Sequence, residues 1–345
     1  MHDPVRNGSP PVGFSLLLSA ATARQALTQD AQELVTSYIR SQQNSDGGFR
    51  GRDPNGKSDT YYSFFALAGL LALGEDHRSF DDATAWLEGR SANTPELDPI
   101  HRICLAQGQA LVRRKRMLRW MLQHGARSRV AQWMYTTISG RMKGSWGSPF
   151  SSTERASLLK ILPPDAQTTS EGSDTFPELY HLFLRIQLYE SLGIKLDMIP
   201  VLDILKACSC PDGGYSSAPG RSLGITSATA AALILQVRSG HPPSATTIQW
   251  LLDRRDEEGG FAGSPTAPMA DLLSTSVALF ALDYSGHPLD TTACALTESY
   301  VSAHWNEDGG FCGTVLDPDS DVEYTFYGIL ALGCLHHMQS SPLQS

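Results

Sequence analysis

A short phrase recurs four times along the 345-residue chain. It contains two glycines followed by an aromatic residue, and each copy follows a stretch with the pattern of a helix. The copies are Ser45–Gly51, Pro211–Ser217, Glu257–Gly263 and Glu307–Gly313. After each copy come a polar loop and a second, more apolar stretch of helical length. Self-similarity of this kind predicts helical hairpins that bury their apolar faces by stacking on one another.

The spacing of the phrase sets the number of hairpins. The double glycines begin at Gly47, Gly213, Gly259 and Gly309. The last two intervals are 46 and 50 residues, and the long first interval leaves room for two more units without the phrase. One of these begins near Trp86, and the other contains residues 144–147, a Ser- and Pro-rich insert at 148–174 and a helix at about 175–192. Six units favour a closed ring over an open solenoid.

The two helices of each unit are expected to form two layers. The second helices are apolar nearly all round, which is typical of helices buried on several sides, so we place them in an inner ring. The predicted N-caps of these helices are Ser58 or Asp59, Thr226 or Ser227, Asp271 and Asp321. The aromatic residue of each phrase should pack between neighbouring hairpins. We expect one domain at 30–338 with the insert at 148–174, an N-terminal extension at 1–29 and a tail at 339–345.

Composition narrows the class of protein. A formal charge of −9, from 36 acidic and 27 basic residues, argues against a nucleic-acid-binding protein. The six cysteines are scattered without a disulfide or CxxC pattern, so we expect core thiols in a reducing compartment. The apolar run at 13–23 is too short to span a membrane and lacks the basic flank of a signal peptide. A cytoplasmic protein without a membrane span is the expectation.

The first copy also carries a family resemblance. QNSDGGF at Gln43–Phe49 resembles the Gln-x-x-x-Gly-x-aromatic pattern of the prenyltransferase and squalene-cyclase repeats. The resemblance extends over nearly the whole chain through the four copies. It implies an all-α fold, the (α/α)6 toroid of six helical hairpins, and it implies a protein that handles isoprenoids.

The first chemistry of this superfamily is prenyl transfer. The segment GGFRGRDPNGKSDTYYSF resembles the part of a protein prenyltransferase β-subunit that binds the isoprenoid diphosphate and a catalytic zinc. By that resemblance Arg52 and Lys57 would bind diphosphate, Asp59 would be the first zinc ligand, and His101, one repeat later, would be the zinc histidine. Tyr61 stands where the family has its cysteine ligand, and a neutral phenol is a poor substitute for a thiolate.

Other placements of the zinc site are also incomplete. Cys104, three residues after His101, is an alternative thiolate, although a core cysteine is the more common role for such a residue. In the last two units Asp271 matches the family's aspartate, but Leu273 and Tyr324 replace its cysteine and histidine. The resemblance further implies a helical-repeat α-subunit as partner, because the family's β-subunits work with one.

The second chemistry is cyclisation started by protonation. Those cyclases carry Asp-x-Asp-Asp at the start of an inner helix, where the middle carboxylic acid protonates an alkene or epoxide. This chain has Asp321-Val322-Glu323-Tyr324 at the equivalent point. Glu323 would then be the acid, and Asp321 would help to keep it protonated. The alternative is that both are ordinary residues for the first turn of a helix.

Aromatic residues near these positions are candidates for substrate binding. Tyr61, Tyr62, Phe64 and Phe65 could line an apolar cavity and stabilise a prenyl chain or a carbocation. Tyr324 is a further candidate for substrate binding. Packing of an inner helix requires the same residue types.

Three functional hypotheses follow. The first is an isoprenoid-handling toroid similar to a prenyltransferase β-subunit, with a diphosphate near Arg52, Lys57 and His101. The second is a class II terpenoid cyclase that uses Glu323 and no zinc. The third is a non-catalytic ring that binds a lipid or a protein.

Overall fold

The computed structural model describes residues 11–75, 78–90, 97–123, 151–153, 156, 179–192, 194 and 198–340. The features expected at 144–147, most of the insert at 148–174, the start of the helix expected at 175–192 and the tail beyond 340 lie outside the described residues.

Twelve α-helices make up the described regions. They are α1 Val12–Ala26, α2 Gln29–Ser41, α3 Thr60–Ala72, α4 Arg78–Glu88, α5 Pro99–Gln123, α6 Leu179–Ser191, α7 Ile199–Cys208, α8 Thr226–Arg238, α9 Ala245–Leu252, α10 Leu272–Ser285, α11 Thr291–Ala303 and α12 Val322–Ser340. Apart from isolated bridges between single residue pairs, no β-structure occurs in these regions. The all-α prediction is confirmed.

Six of these helices form a closed inner ring. Each packs against the next in the order α3, α5, α6, α8, α10 and α12, and α12 packs against α3. Hydrogen bonds join the N-terminal ends of inner helices to the neighbouring unit. Thr60 Oγ1 of α3 donates to the His101 carbonyl of α5 at 3.0 Å, and the Leu272 amide of α10 donates at 2.9 Å to the Gly313 carbonyl in the turn before α12. The outer layer contains α2, α4, α7, α9 and α11. The chain therefore folds as the expected α/α toroid.

The repeated phrase forms the same turn in each copy. Its first glycine has a positive φ of 91–98° in all four copies. The aromatic side chains of Phe49, Phe261 and Phe311 are fully buried, and that of Tyr215 is 8 % exposed. The amide of each aromatic residue donates to a hydroxyl 14 residues later on the following inner helix, at Ser63, Thr229, Thr275 and Thr325. This bond ties the turn to its own unit.

The same turn also joins each unit to the next. The second glycines Gly48, Gly214, Gly260 and Gly310 lie against Trp86, Trp250, Tyr300 and Tyr38, respectively, on the outer helix of the following unit. In two copies the indole also donates at 2.9 Å to the aspartate of the phrase, from Trp86 to Asp46 and from Trp250 to Asp212. Because the last turn packs against Tyr38 of α2, the pattern closes on the first unit.

Aspartate side chains start three of the inner helices. Asp59 accepts a hydrogen bond from the Tyr61 amide at 2.7 Å, Asp271 from the Ser274 amide at 2.7 Å, and Asp321 from the Glu323 amide at 2.7 Å. These predicted N-caps are confirmed. The prediction for α8 was wrong: its N-cap is Ile225, without a side-chain cap, because Thr226 is already the first helical residue and its hydroxyl donates to the Ala262 carbonyl of the neighbouring unit.

Helix α1, which falls in the N-terminal extension expected at 1–29, packs into the toroid. It contacts α12, α3 and α6. Its first amide, at Val12, donates to Glu190 Oε2 of α6 at 2.7 Å, and Glu190 also pairs with Arg238 at 2.6 Å. An ideal Cβ at Gly333 of α12 would overlap the Ser19 carbonyl oxygen, so the two helix backbones cross in close contact. The apolar run at 13–23 is therefore buried core.

Two expectations from composition concern the described chain as a whole. All six cysteines are free and buried, as the core-thiol prediction requires. Among the described helices, none combines the length and the apolar character that crossing a bilayer demands.

Candidate active site

The inner ring surrounds a cavity of about 310 Å³, hereafter the main cavity. Its walls are predominantly aliphatic and aromatic. The aromatic residues lining it are Tyr61, Phe64, Phe65, Tyr180, Phe183, Phe280, Phe326 and Tyr327. The polar residues among the described lining are Gln107, Gln187, Ser227 and Glu323, together with the tyrosines. Small-molecule sites in proteins are typically apolar cavities of about this size with a few polar groups.

Glu323 is the ionisable acid in this wall. It lies in the first turn of α12, where the Asp321 cap fixes the start of the helix. Its Oε1 accepts a 2.5 Å hydrogen bond from the hydroxyl of Tyr61, which lies in the first turn of α3. Burial raises the pKa of Glu323 to about 7; the hydrogen bond from Tyr61 and the charge of Arg52 oppose this rise, and the Asp321 carboxylate adds to it. A large fraction of the Glu323 carboxyl groups is therefore protonated at neutral pH.

Two further tyrosines join Tyr61 at this end of the main cavity. Tyr180 of α6 interacts through its hydroxyl with Tyr61 and Tyr327. Burial raises the pKa of all three phenols well above the usual range, so they are neutral hydrogen-bonding groups. The rings of Phe65 and Phe326 lie 5.6 Å apart beside them, and Phe65 lies 4.9 Å from Tyr61 between ring centres.

Asp321 and Arg52 form an ion pair outside the lining of the main cavity. Arg52 Nε lies 3.4 Å from Asp321 Oδ2, and the same guanidinium pairs with Asp317. The guanidinium also lies 5.4 Å from the ring centre of Tyr324. Burial raises the pKa of Asp321, whereas the Glu323 amide and Arg52 favour its ionised form. The cation predicted to bind diphosphate is thus already paired with two carboxylates.

The structure brings together Asp59 and His101, as the spacing of one repeat predicted. His101 Nε2 lies 3.1 Å from Asp59 Oδ2, and Nδ1 lies 2.7 Å from Asp98 Oδ2. Burial disfavours ionisation of Asp98, but hydrogen bonds from the His101 amide and ring hold the pKa of Asp98 below its usual value. Both ring nitrogens of the histidine therefore face carboxylates.

These residues do not fit a zinc site. Within the described part of the chain no three His, Cys, Asp or Glu residues are placed to hold a metal ion. Cys104, the alternative thiolate, is fully buried, and burial together with the charges of Asp59 and Glu323 raises the pKa of its thiol. A zinc ion would have to overcome this extra cost of deprotonating the thiol.

The remaining predicted residues divide between the cavity and its surroundings. Tyr61 and Phe65 line the main cavity as predicted. Lys57 is exposed, and Tyr62 and Tyr324 are absent from the described lining. Sequence analysis did not single out Tyr180, Tyr327, Gln107 or Gln187. The sequence does not distinguish these residues from the other polar side chains on the same helices, such as Gln109 of α5 and Arg185 of α6.

The chain belongs to the prenyltransferase alpha-alpha toroid family. The sequence model of the prenyltransferase alpha-alpha toroid domain matches residues 13–136 and 228–344. This family assignment rests on a match to more than half of the chain.

No curated protein matches the chain in sequence. Among solved structures, it is similar to a glycosidase variant at 13 % identity, over 90 % of this chain and 99 % of that one, with a TM-score of 0.49. It is also similar to the type II terpene cyclase MstE from Scytonema without ligand, at 12 % identity over 89 % and 96 % of the two chains, with a TM-score of 0.49. For the same cyclase with geranylgeranyl dihydroxybenzoate, the identity is 13 %, the coverage 92 % and 98 %, and the TM-score 0.47.

Proposed function

We propose that this toroid catalyses cyclisation of a neutral isoprenoid, started by proton transfer from Glu323. The observation that carries the proposal is the position of Glu323 in the wall of an apolar, aromatic cavity, where its pKa is about 7 and Tyr61 donates to it. A carboxylic acid that is protonated at neutral pH and faces an apolar chamber is the group that alkene protonation requires.

The first step would move the carboxyl proton of Glu323 to an alkene carbon or epoxide oxygen of the substrate. The resulting carboxylate keeps the hydrogen bond from Tyr61 and the nearby charge of Arg52. The substrate cation is then attacked by its own next alkene, which closes a ring. Loss of a proton from the final cation to water and reprotonation of Glu323 complete the cycle, so the product is an isomer of the substrate.

The aromatic lining supports the cationic stage. Phe65, Phe326 and Tyr327 pack against one another, with ring centres 5.6–6.1 Å apart, beside Glu323. An aromatic face stabilises a cation by about 2 kcal/mol when water is excluded. The same walls keep water away from the cation until rings have formed.

Prenyl transfer from a diphosphate, the first hypothesis from sequence, has weaker support. No Lys or Arg occurs among the described residues that line the main cavity. Arg52 pairs with Asp317 and Asp321, and His101 lies between Asp59 and Asp98. A diphosphate in this setting would meet carboxylates, which repel it.

The test is product analysis with purified protein and three substrates: farnesol, its terminal epoxide and farnesyl diphosphate. We expect cyclic isomers from a neutral substrate, none from Glu323→Gln, and normal turnover from Glu307→Gln, which replaces an exposed glutamate. Cyclisation that persists in Glu323→Gln would rule out this acid. Transfer of the prenyl group from the diphosphate would favour the prenyltransferase hypothesis, and binding without turnover would favour the non-catalytic ring.

A further inference from the structure

Gln187 presents an unpaired carboxamide to the main cavity. It lies on α6 and is only 7 % exposed. It lines both the main cavity and an adjoining cavity of about 70 Å³, hereafter the side cavity, beneath α1. Its Oε1 is 3.3 Å from where a Cβ on Gly13 of α1 would lie. Within the described part of the chain its side chain makes no hydrogen bond.

The amide atoms of Gln187 are not among the fully enclosed side-chain atoms without a partner, so they border open space from which a bound polar group can reach them. A carboxamide offers two donor hydrogens and an acceptor oxygen. Polar groups at such positions in folded proteins usually pair with a protein group, a water molecule or a ligand. Because Gln187 lines a chamber with room for a small molecule, the natural partner is a polar group of the occupant.

A second amide lies beside the first. Gln107 of α5 is 6 % exposed and lines the same two cavities. Its Nε2 donates to the Leu184 carbonyl at 3.3 Å, one helical turn before Gln187, and its amide oxygen remains an acceptor. Both groups are uncharged, and Arg114, which lines the side cavity with them, is absent from the lining of the main cavity. Two neutral amides suit a hydroxyl or a carbonyl group better than a phosphate, which requires cations.

These amides lie deeper in the ring than the acid. Tyr180 lies at the end of α6 that is close to Glu323, because its hydroxyl interacts with Tyr61, which donates a hydrogen bond to Glu323. Gln187 follows seven residues later on the same helix, which places it about 10 Å further along the axis. The main cavity thus has an acid at one end and a pair of neutral amides at the other.

We propose that Gln187, assisted by Gln107, binds the hydroxyl or carbonyl oxygen of an isoprenoid whose alkene end lies against Glu323. The substrate class is a neutral, oxygenated isoprenoid, such as a prenyl alcohol or ketone. This assignment of orientation rests on the proposed function, because it takes Glu323 as the group that meets the alkene.

The test compares two ligands with the same hydrocarbon skeleton, farnesol and farnesene, by equilibrium dialysis. We expect the wild type to bind farnesol about fivefold to tenfold more tightly, the effect of one hydrogen bond. Gln187→Met, similar in size but without the amide, should reduce this ratio to about one with little change for farnesene. Gln249→Met, which replaces an exposed glutamine of α9, should keep the wild-type ratio.

The outcomes separate this inference from the proposed function. Glu323→Gln should keep the farnesol preference while losing turnover. A wild-type protein that shows the preference but no turnover of any substrate would refute the cyclase proposal and leave the amide site. A ratio near one in the wild type, or failure of both ligands to bind, would overturn the amide site. A preference that survives in Gln187→Met but is lost in Tyr61→Phe would place the oxygen at the acid end and would also overturn it.

Discussion

The hydroxyl of Tyr61 and the carboxyl of Glu323 meet at 2.5 Å, although 262 residues separate them in the chain. One belongs to the first inner helix and the other to the last, so the contact forms where the ring closes. Burial raises the pKa of Glu323 to about 7, and the Tyr61 hydrogen bond opposes this rise by favouring the ionised form. The hydrogen bond between Tyr61 and Glu323 therefore influences the pKa of the carboxylic acid in the main cavity.

Removal of this hydroxyl is expected to weaken the acid. In Tyr61→Phe the Glu323 carboxylate loses its donor, so its pKa should rise and the alkaline limit of activity should move to higher pH. The maximal rate should fall about 100-fold, because loss of a positioned donor removes stabilisation of the carboxylate formed in the transition state. Rates of cyclisation measured between pH 5 and pH 9 would test both effects. Tyr62→Phe is the control, since Tyr62 lies outside the described lining; a similar loss in Tyr62→Phe would contradict the geometry.

Glu323 should also make the folded protein less stable as pH rises. Its pKa is about 7 in the folded protein against 4.5 for an unperturbed glutamate, so between these values the unfolded chain loses a proton that the folded protein keeps. The difference amounts to about 3 kcal/mol. Glu323→Gln mimics the neutral acid, and we expect the variant to match the wild type near pH 4.5 and to be more stable by about this amount at pH 8.

Urea denaturation at several pH values measures this difference. Glu307→Gln, at an exposed position, controls for the loss of one carboxylate. If Glu323→Gln were less stable than the wild type at pH 8, the buried carboxyl group would be compensated by interactions other than those described.

Zinc binding should be weak. Both ring nitrogens of His101 face carboxylates, and burial raises the pKa of the Cys104 thiol, which makes its deprotonation by a metal ion more costly. Elemental analysis of protein dialysed against zinc should therefore give far less than one zinc per chain, with no change in Asp59→Ala or His101→Ala. One tightly held zinc that is lost in both variants would contradict this prediction and would restore prenyl transfer as the leading hypothesis.

Ring closure depends on close backbone contact at the last repeat. Gly309 has a φ of +91°, and a Cβ there would overlap the Leu34 carbonyl group of α2. Gly286 has a φ of +78° but no atom within 4 Å of its Cβ position, so it serves as a matched control. Gly286→Ala should cost about 1 kcal/mol of unfolding free energy from backbone strain alone. Gly309→Ala should cost about 1–3 kcal/mol more because of the overlap, and equal costs in denaturation experiments would show that the turn can shift away from α2.

The toroid could be predicted from sequence because its repeats share local features. The glycine turns, the apolar inner helices and the caps at Asp59, Asp271 and Asp321 all follow from short patterns. Helix α1 lacks the repeated phrase, and a uniformly apolar stretch does not indicate which partner buries it. The α8 cap was mistaken because a threonine at a helix start suits both the cap and the first helical turn, and only the neighbouring unit decides between them.

The site was harder to predict because its contacts cross the ring. Glu323 could be identified from the sequence as a variant of a family pattern. Its hydrogen bond to Tyr61 could not, because that bond forms only where the last inner helix of the ring meets the first. The same holds for Arg52, which pairs with Asp317 rather than remaining available to a diphosphate. Gln107 and Gln187 lie on helices that carry other polar and charged residues, such as Gln109 and Arg185. Their shared position at the main cavity depends on the packing of α5 against α6.

The contact between the first and the last inner helix has a consequence for biosynthesis. At about 5–20 residues per second, a ribosome needs roughly 10–50 s to extend the chain from Tyr61 to Glu323. During that interval a nascent chain has an open ring and no acid within it. The final hairpin therefore supplies both Glu323 and the closing wall of the chamber, and a chain interrupted before that point has neither.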